Sequence, residues 1–201
     1  MIEAVVFDVG RVLFEWDLRH LFYKLVPEKA ELDRILSQVI TEDWHFEHDR
    51  GRTLAEMTAE RKALFPADAA LIDAYAARFN ETIPGPVPGS LKIVSELDKA
   101  GVPLFAITNF GAEFWDGFAP DQAVFQKFRD IVVSGREKLA KPDPAIFSLA
   151  ERRFGLAPGA MLFIDDNAAN IEAARQRGWQ VHHFTGAANL RADLVRRGLL
   201  S

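Results

Sequence analysis

Four short stretches, far apart in the chain, each set a polar or charged side chain at the end of an apolar run or in the loop beyond it. Asp8 stands in Phe7-Asp8-Val9-Gly10, directly after Ala4-Val5-Val6-Phe7. Thr108 and Asn109 close the run from Val102, Lys141 lies in Ala140-Lys141-Pro142-Asp143-Pro144, and Asp165-Asp166-Asn167 follows Met161 to Ile164. Singly, each has an ordinary explanation. An aspartate after a strand commonly forms a turn or caps a helix, and a lone lysine is usually a solvated charge. The pair Asp165-Asp166 resists that reading, because adjacent acids repel unless a cation or donor offsets them, and Asn167 is the better cap for the helix that follows. As a set the residues make chemical sense. Hard carboxylate oxygens suit Mg²⁺. A metal lets a carboxylate approach an anionic phosphate, while a lysine and hydroxyl or backbone donors neutralise the phosphoryl oxygens. A carboxylate nucleophile that forms an aspartyl-phosphate is an established covalent route.

Such residues need a scaffold that brings distant loops together. Ala4–Phe7 is short, continuously apolar and β-rich, as suits a strand buried on both faces. Val102–Thr108, Ile131–Ser134, Met161–Ile164 and Gln180–Phe184 read the same way. Between them lie helical patterns: Ser90 to Ala100, ending at Gly101; Ala145 to Phe154, after the cap Asp143-Pro144; and Ala168 to Arg177, between Asn167 and Gly178. Alternating strands and helices predict an α/β fold with a parallel sheet flanked by helices. Ligands of such sheets bind beyond the carboxyl ends of the strands, where all four stretches fall. From Leu18 to Phe79 the rhythm changes to helical patterns alone (Leu18 to Leu25, Ala30 to Ile40, Leu54 to Leu64, Asp68 to Phe79). That stretch ends in the hinge Pro84-Gly85-Pro86-Val87-Pro88-Gly89. The expected organisation is an α/β core of residues 1–16 and 85–201 with a helical cap of residues 17–84.

The bulk composition agrees. With 201 residues, 49% of them hydrophobic and 26% charged, the chain fits one globular core with a modest insertion. There is no cysteine, so any metal must take oxygen or imidazole ligands. A net charge of −5 argues against a nucleic-acid partner. No apolar stretch is long enough to cross a bilayer, and the N-terminus lacks a basic signal region. A soluble cytoplasmic protein, monomer or homodimer, with a small-molecule partner is the expectation.

Asp8 after a strand, Thr108 at the end of a second, Lys141 before Pro-Asp-Pro and the Asp165-Asp166 pair, in this order, resemble the four motifs of the haloacid dehalogenase (HAD) superfamily. The helical stretch after the first motif resembles its small α-helical cap. The resemblance implies a Rossmann-like core and a Mg²⁺-dependent hydrolase acting on a small phosphorylated substrate, sugar phosphates included. Asp8 would be nucleophile and metal ligand, and the Gly10 carbonyl and Asp166 further ligands. Asp165 would lie nearby or bind through water. Thr108 and Asn109 would hold the phosphate, and Lys141 would pair with both phosphate and Asp8. Asn170, one turn into its helix, could orient the acids or be an ordinary helix residue.

One position departs from the pattern. Phosphatases of this superfamily usually carry a second aspartate two residues after the nucleophile as general acid and base; here it is Gly10. The stretch Phe-Asp-Val-Gly-Arg-Val resembles the branch with an Asp-x-Gly-Asn-Val first motif, which includes α-glucose-1-phosphate phosphatase-like proteins, with Arg11 in place of the asparagine. Haloacid dehalogenases also lack that aspartate, but a carbon–halogen bond needs no metal, and the paired acids argue against them. A catalytically weak or inactive binding protein is the third alternative. Asp17 is the nearest replacement acid, or else the cap of the helix starting at Leu18. Arg11 could add positive charge near the phosphate. In Trp44-His45-Phe46-Glu47-His48-Asp49-Arg50, His45 and Arg50 are candidate substrate contacts. His45 and His48 lack a third ligand for a metal, and His182-His183 reads as structural.

Overall fold

The computed structural model describes residues 1–201. Five parallel strands, β1 (Ala4–Phe7), β2 (Leu104–Thr108), β3 (Asp130–Val133), β4 (Met161–Asp165) and β5 (Gln180–His183), form one sheet in the order β3-β2-β1-β4-β5. Each lies within two residues of its sequence-based limits. β1 is central, and all four of its residues are buried, because helices cover both faces of the sheet.

The two-residue alternation of a strand divides the core. Val5 and Phe7, with Leu104, Ala106, Leu162 and Ile164, face the helices α6 (Ser90–Lys99) and α11 (Ala187–Arg196). Ala4 and Val6, with Phe105, Ile107 and Phe163, face α9 (Pro144–Phe154) and α10 (Ala168–Gln176). Helix ends follow the expected signals. The side chain of Asp143 accepts from the Ala145 N–H at 2.8 Å, and that of Asn167 from the Ala169 N–H at 2.8 Å.

Between β1 and α6 the chain is helical throughout: α1 (Arg19–Phe22), α2 (Lys29–Arg34) running into a wider π turn (Ile35–Val39), α3 (Glu42–Asp49), α4 (Leu54–Leu64) and α5 (Ala69–Ala77). The pattern Leu18–Leu25 shrinks to the single turn of α1. The pattern Asp68–Phe79 becomes α5 with short 3₁₀ turns on either side. α3 was not expected from hydrophobic periodicity. Its buried positions are Trp44, His45, His48 and Asp49, so three of the four are polar and the apolar stripe that would announce a helix is missing. Thr41 starts it, its hydroxyl accepting from the Trp44 N–H at 3.0 Å. Apolar residues of this insertion, from Leu21 and Phe22 to Tyr75 and Phe79, join the same core cluster as Val5 and Phe7.

A short helix (α7, Ala112–Phe118) follows β2, and a single turn (α8, Ser134–Glu137) follows β3. α3 sits directly on the loop before α7. A Cβ added at Gly111 would fall 1.8 Å from the His48 ring, so only glycine permits this approach. No helix is long and apolar enough to cross a membrane.

Candidate active site

The register of the sheet sets the acids side by side. Phe7 pairs with Ile164, so Asp8 and Asp165 are each the next residue along neighbouring strands, and the Asp8 N–H donates to the Ile164 carbonyl at 2.8 Å. Beyond β1 the chain turns sharply. Arg11 takes a left-handed conformation (φ 59°), unusual for a side chain of this size. The Gly10 carbonyl accepts no hydrogen bond from the protein.

Lys141 reaches this point from the loop after α8. It is 1% exposed, and its Nζ lies 2.8 Å from Asp8 Oδ1 and 2.7 Å from Asp165 Oδ2. Burial pulls this ammonium toward its neutral form, but Asp165 and Asp8 outweigh it and hold its pKa above the usual lysine value. Asn109 fixes the lysine from behind. Its side-chain oxygen accepts from the Lys141 N–H and its amide donates to the Lys141 carbonyl, both at 2.9 Å. Asn109 therefore spends its side chain on positioning Lys141 instead of pointing it free at a ligand. Thr108 ends β2 fully buried, and its hydroxyl has no hydrogen-bond partner.

The paired acids divide their work. Asp165 is fully buried and saturated: besides Lys141, it accepts from the Asn167 N–H at 2.8 Å and from the Asn170 amide at 3.1 Å on each oxygen. Asn170 thus orients the acid, the more specific of its two readings. Asp166 is half-buried and its carboxylate makes no hydrogen bond or ion pair with another side chain. Burial and the neighbouring Asp165 raise its pKa. Burial also raises that of Asp8, to about 7, with Asp165 and Asp166 adding to the effect and Lys141 opposing it.

Carboxylate oxygens of Asp8, Asp165 and Asp166 all lie within 4.8 Å of one another. Three carboxylates against one ammonium leave two negative charges without compensation, the charge that a divalent cation would balance. The donors are hard oxygens, Gly10 lines the same cavity with its carbonyl unspent, and the set fits Mg²⁺.

Above this cluster opens a cavity of about 360 Å³ between the sheet rim and the insertion. Asp8, Lys141 and Asp166 form its floor, while His45, Phe46 and Asp49 of α3 line it from the insertion, with Trp16, Phe79, Phe110 and Phe118 as aromatic walls. Arg11 lies at its edge, its guanidinium 2.8 Å from Glu42 and stacked 4.7 Å over Trp16. It bridges the first loop and the insertion while remaining exposed to solvent.

Other expectations resolve plainly. His45 lines the cavity, whereas Arg50 is exposed and stacks over Phe46 at 4.4 Å, outside it. Asp17 also lies outside the cavity and accepts from the Arg19 N–H at 2.8 Å, a helix-capping role and not that of a replacement acid. His182 pairs with Asp193 at 2.9 Å. His183 is nearer the site than its place in the chain suggested, with its ring 2.8 Å from the Asp166 carbonyl. Asp49, which sequence reasoning passed over, lies in the cavity wall. The signal for it was the spacing of Trp44, His45, His48 and Asp49, one helical face made of unexpectedly polar residues.

Comparison with known proteins adds the decisive observation: the profile of the family described as "Hydrolase: haloacid dehalogenase-like hydrolase" matches residues 2–178. The chain belongs to this family. Among relatives of this HAD-like hydrolase, hexitol phosphatase A of Escherichia coli (strain K12) is 27% identical, over 94% of this chain and 78% of its own. Acyl-CoA dehydrogenase family member 10 of Mus musculus is also 27% identical, over 88% of this chain but only 17% of that longer protein. A HAD family enzyme of Bacteroides thetaiotaomicron, determined as a magnesium complex, superposes with a TM-score of 0.71 at 20% identity, covering 97% of this chain and 98% of the other. Relatives named as phosphatases and relatives named as 2-haloacid dehalogenases both occur.

Proposed function

We propose that this HAD-like hydrolase is a Mg²⁺-dependent phosphatase acting on a small phosphorylated metabolite, with sugar phosphates the first class to try. The observation that carries the reading is the third acid. Asp166 lies within 4.8 Å of Asp8 and Asp165 with its side chain unspent, and displacement at carbon by a lone carboxylate gives it nothing to do. Asp8, Asp166 and the Gly10 carbonyl would hold the ion, with Asp165 nearby or linked through water. Bound there, Mg²⁺ would relieve the repulsion between carboxylate and phosphate and polarise a phosphoryl oxygen.

The chain's own residues do the rest. Asp8 attacks phosphorus, the ester oxygen departs, and water then attacks the aspartyl-phosphate to release inorganic phosphate. Lys141 holds Asp8 in place and offers positive charge to the phosphoryl group. The Thr108 hydroxyl, buried without a partner, is a donor for the same oxygens. Residues 17–84 serve as the cap over the core formed by 1–16 and 85–201, excluding water and selecting the group that the phosphate carries. The enzyme would work in the cytoplasm, as a monomer or homodimer.

A 2-haloacid dehalogenase is the second reading, favoured by the glycine at position 10 and by relatives of that name. A screen of phosphomonoesters with and without Mg²⁺, beside Asp8→Asn, separates the two. Phosphate release that needs both Mg²⁺ and Asp8 is expected. Turnover of 2-haloacids that is indifferent to EDTA would overturn the phosphatase reading, and turnover of neither class by folded protein would favour a binding module.

A further inference from the structure

Position 10 leaves a chemical gap. With glycine there, no side chain of the first loop can protonate the departing oxygen, and Asp17 lies outside the cavity as a helix cap. The cavity offers other acids. Glu15, Glu42 and Asp43 are exposed at its mouth, and Glu42 is tied to Arg11. Asp8 and Asp166 belong to the cation set. The remaining acid is Asp49.

Its setting is unusual for a carboxyl group. Asp49 is 5% exposed, yet its Oδ1 has no hydrogen-bond partner. The one side chain paired with it is His45, with Nε2 3.5 Å from Oδ2. The other ring nitrogen of His45, Nδ1, lies 2.7 Å from the hydroxyl of buried Tyr75. The imidazole is stacked against Trp16 and Phe79, with centroids at 5.0 and 5.3 Å. Burial, helped by His48 and Arg11, lowers the His45 pKa to about 3, so the ring is neutral. In the tautomer protonated at Nε2, the Tyr75 hydroxyl donates to Nδ1 and Nε2–H faces Asp49. Lys141, the one buried cation of the site, is spent on Asp8 and Asp165. No cation pairs directly with Asp49, and burial raises its pKa to about 8, with Asp8 adding to the effect and the Gly111 backbone N–H and the charge of Lys141 acting the other way. A carboxyl that keeps its proton near neutral pH is suited to donate it.

We propose that Asp49, carried into the cavity wall by α3, delivers the proton to the departing ester oxygen in place of the carboxylate absent from position 10. The assignment rests on the phosphatase reading. As Asp8 Oδ bonds to phosphorus, the phosphorus–oxygen ester bond breaks. The ester oxygen keeps that electron pair and takes the Asp49 proton, leaving as alcohol. The Asp49 carboxylate then takes a proton from the water that attacks the aspartyl-phosphate. Inorganic phosphate leaves, Asp8 is restored, and Asp49 is protonated again. His45 is a positioning residue: its Nε2–H steadies one oxygen of Asp49 and leaves the other for the substrate.

The test is leaving-group dependence in Mg²⁺, over aryl phosphates graded from p-nitrophenyl to phenyl phosphate. Wild type should show a shallow dependence on the acidity of the phenol. Asp49→Asn, isosteric and without a transferable proton, should lose about 10²–10³-fold on phenyl phosphate and least, within about tenfold, on p-nitrophenyl phosphate. A Cβ added at Gly10 meets nothing within 4 Å, so the backbone has room for the missing acid. Gly10→Asp placed in Asp49→Asn should therefore restore phenyl phosphate turnover at least tenfold. An equal loss on every ester, or no rescue, would make Asp49 a structural residue and overturn the assignment while leaving the phosphatase reading intact. Failure of the wild type to turn over any of these esters in Mg²⁺ would instead overturn the phosphatase reading itself.

Discussion

A carboxyl group that stays protonated inside the folded protein must weaken the fold as pH rises, and Asp49→Asn makes that cost measurable. In the unfolded chain Asp49 ionises at its ordinary value of 3.8, whereas in the folded protein burial holds it protonated to about 8. Between those values the native state binds a proton that the unfolded state has released, so stability falls with increasing pH, by at most 1.36 kcal/mol per unit. The groups facing Asp49 are His45 on its own helix, Tyr75 on α5, Asp8 after β1 and Lys141 after α8; all four are present in both proteins, so the comparison isolates Asp49 together with its coupling to them. Asparagine keeps the shape, still presents an oxygen to His45 and does not titrate. From pH 5 to pH 8 the variant should gain about 2–4 kcal/mol relative to wild type. Urea unfolding at both pH values in EDTA, followed by tryptophan fluorescence, gives the difference of differences. A constant gap between the two proteins from pH 5 to pH 8 would show that Asp49 titrates as an ordinary carboxylate, and it could then no longer donate a proton at neutral pH.

Lys141→Met leaves Asp8 and Asp165 buried without the ammonium that now lies 2.8 and 2.7 Å from them. Breaking such a set from one side should lower stability by about 3–5 kcal/mol and abolish turnover; a urea midpoint within 1 kcal/mol of wild type would contradict this account of the site. Gly111→Ala places a methyl group 1.8 Å from the His48 ring, which must move. The expected loss is about 1–3 kcal/mol in stability. A fall in kcat should accompany it, because His48 and Asp49 are adjacent on α3; thermal melts and steady-state kinetics check both.

The rim of the sheet was legible because a parallel strand buried on both faces is a continuous apolar run, and chemistry in such folds gathers where the run stops. Asp8, Lys141 and Asp166 each follow from that one rule. Thr108 and Asn109 are expected together at the phosphate, and no spacing along the chain shows that the Asn109 side chain will close on the backbone of Lys141, 32 residues later. In the insertion, Leu54–Leu64 came out at its expected limits, while α3 stayed hidden. Periodicity finds helices whose buried face is apolar, and α3 buries two histidines and an aspartate. Hydrophobic pattern fails where polar residues occupy core positions, which is where function is expected to compete with folding.

Gly10 and Asp49 express that competition from opposite sides of the cavity. The first loop leaves open space where an acid would fit, and the insertion buries an acid where folding alone would favour an apolar side chain or a partnered one. Neither feature explains itself. A glycine with room for a side chain and no positive φ is not demanded by its backbone, and a buried carboxyl with one oxygen left unpaired is not demanded by packing. Moving the proton donor from loop to insertion accounts for both at once. It also ties protonation of the leaving group to the seating of α3 on Gly111. An enzyme built this way should hydrolyse a substrate according to how well its non-phosphate part holds the insertion down, and not according to phosphate binding alone.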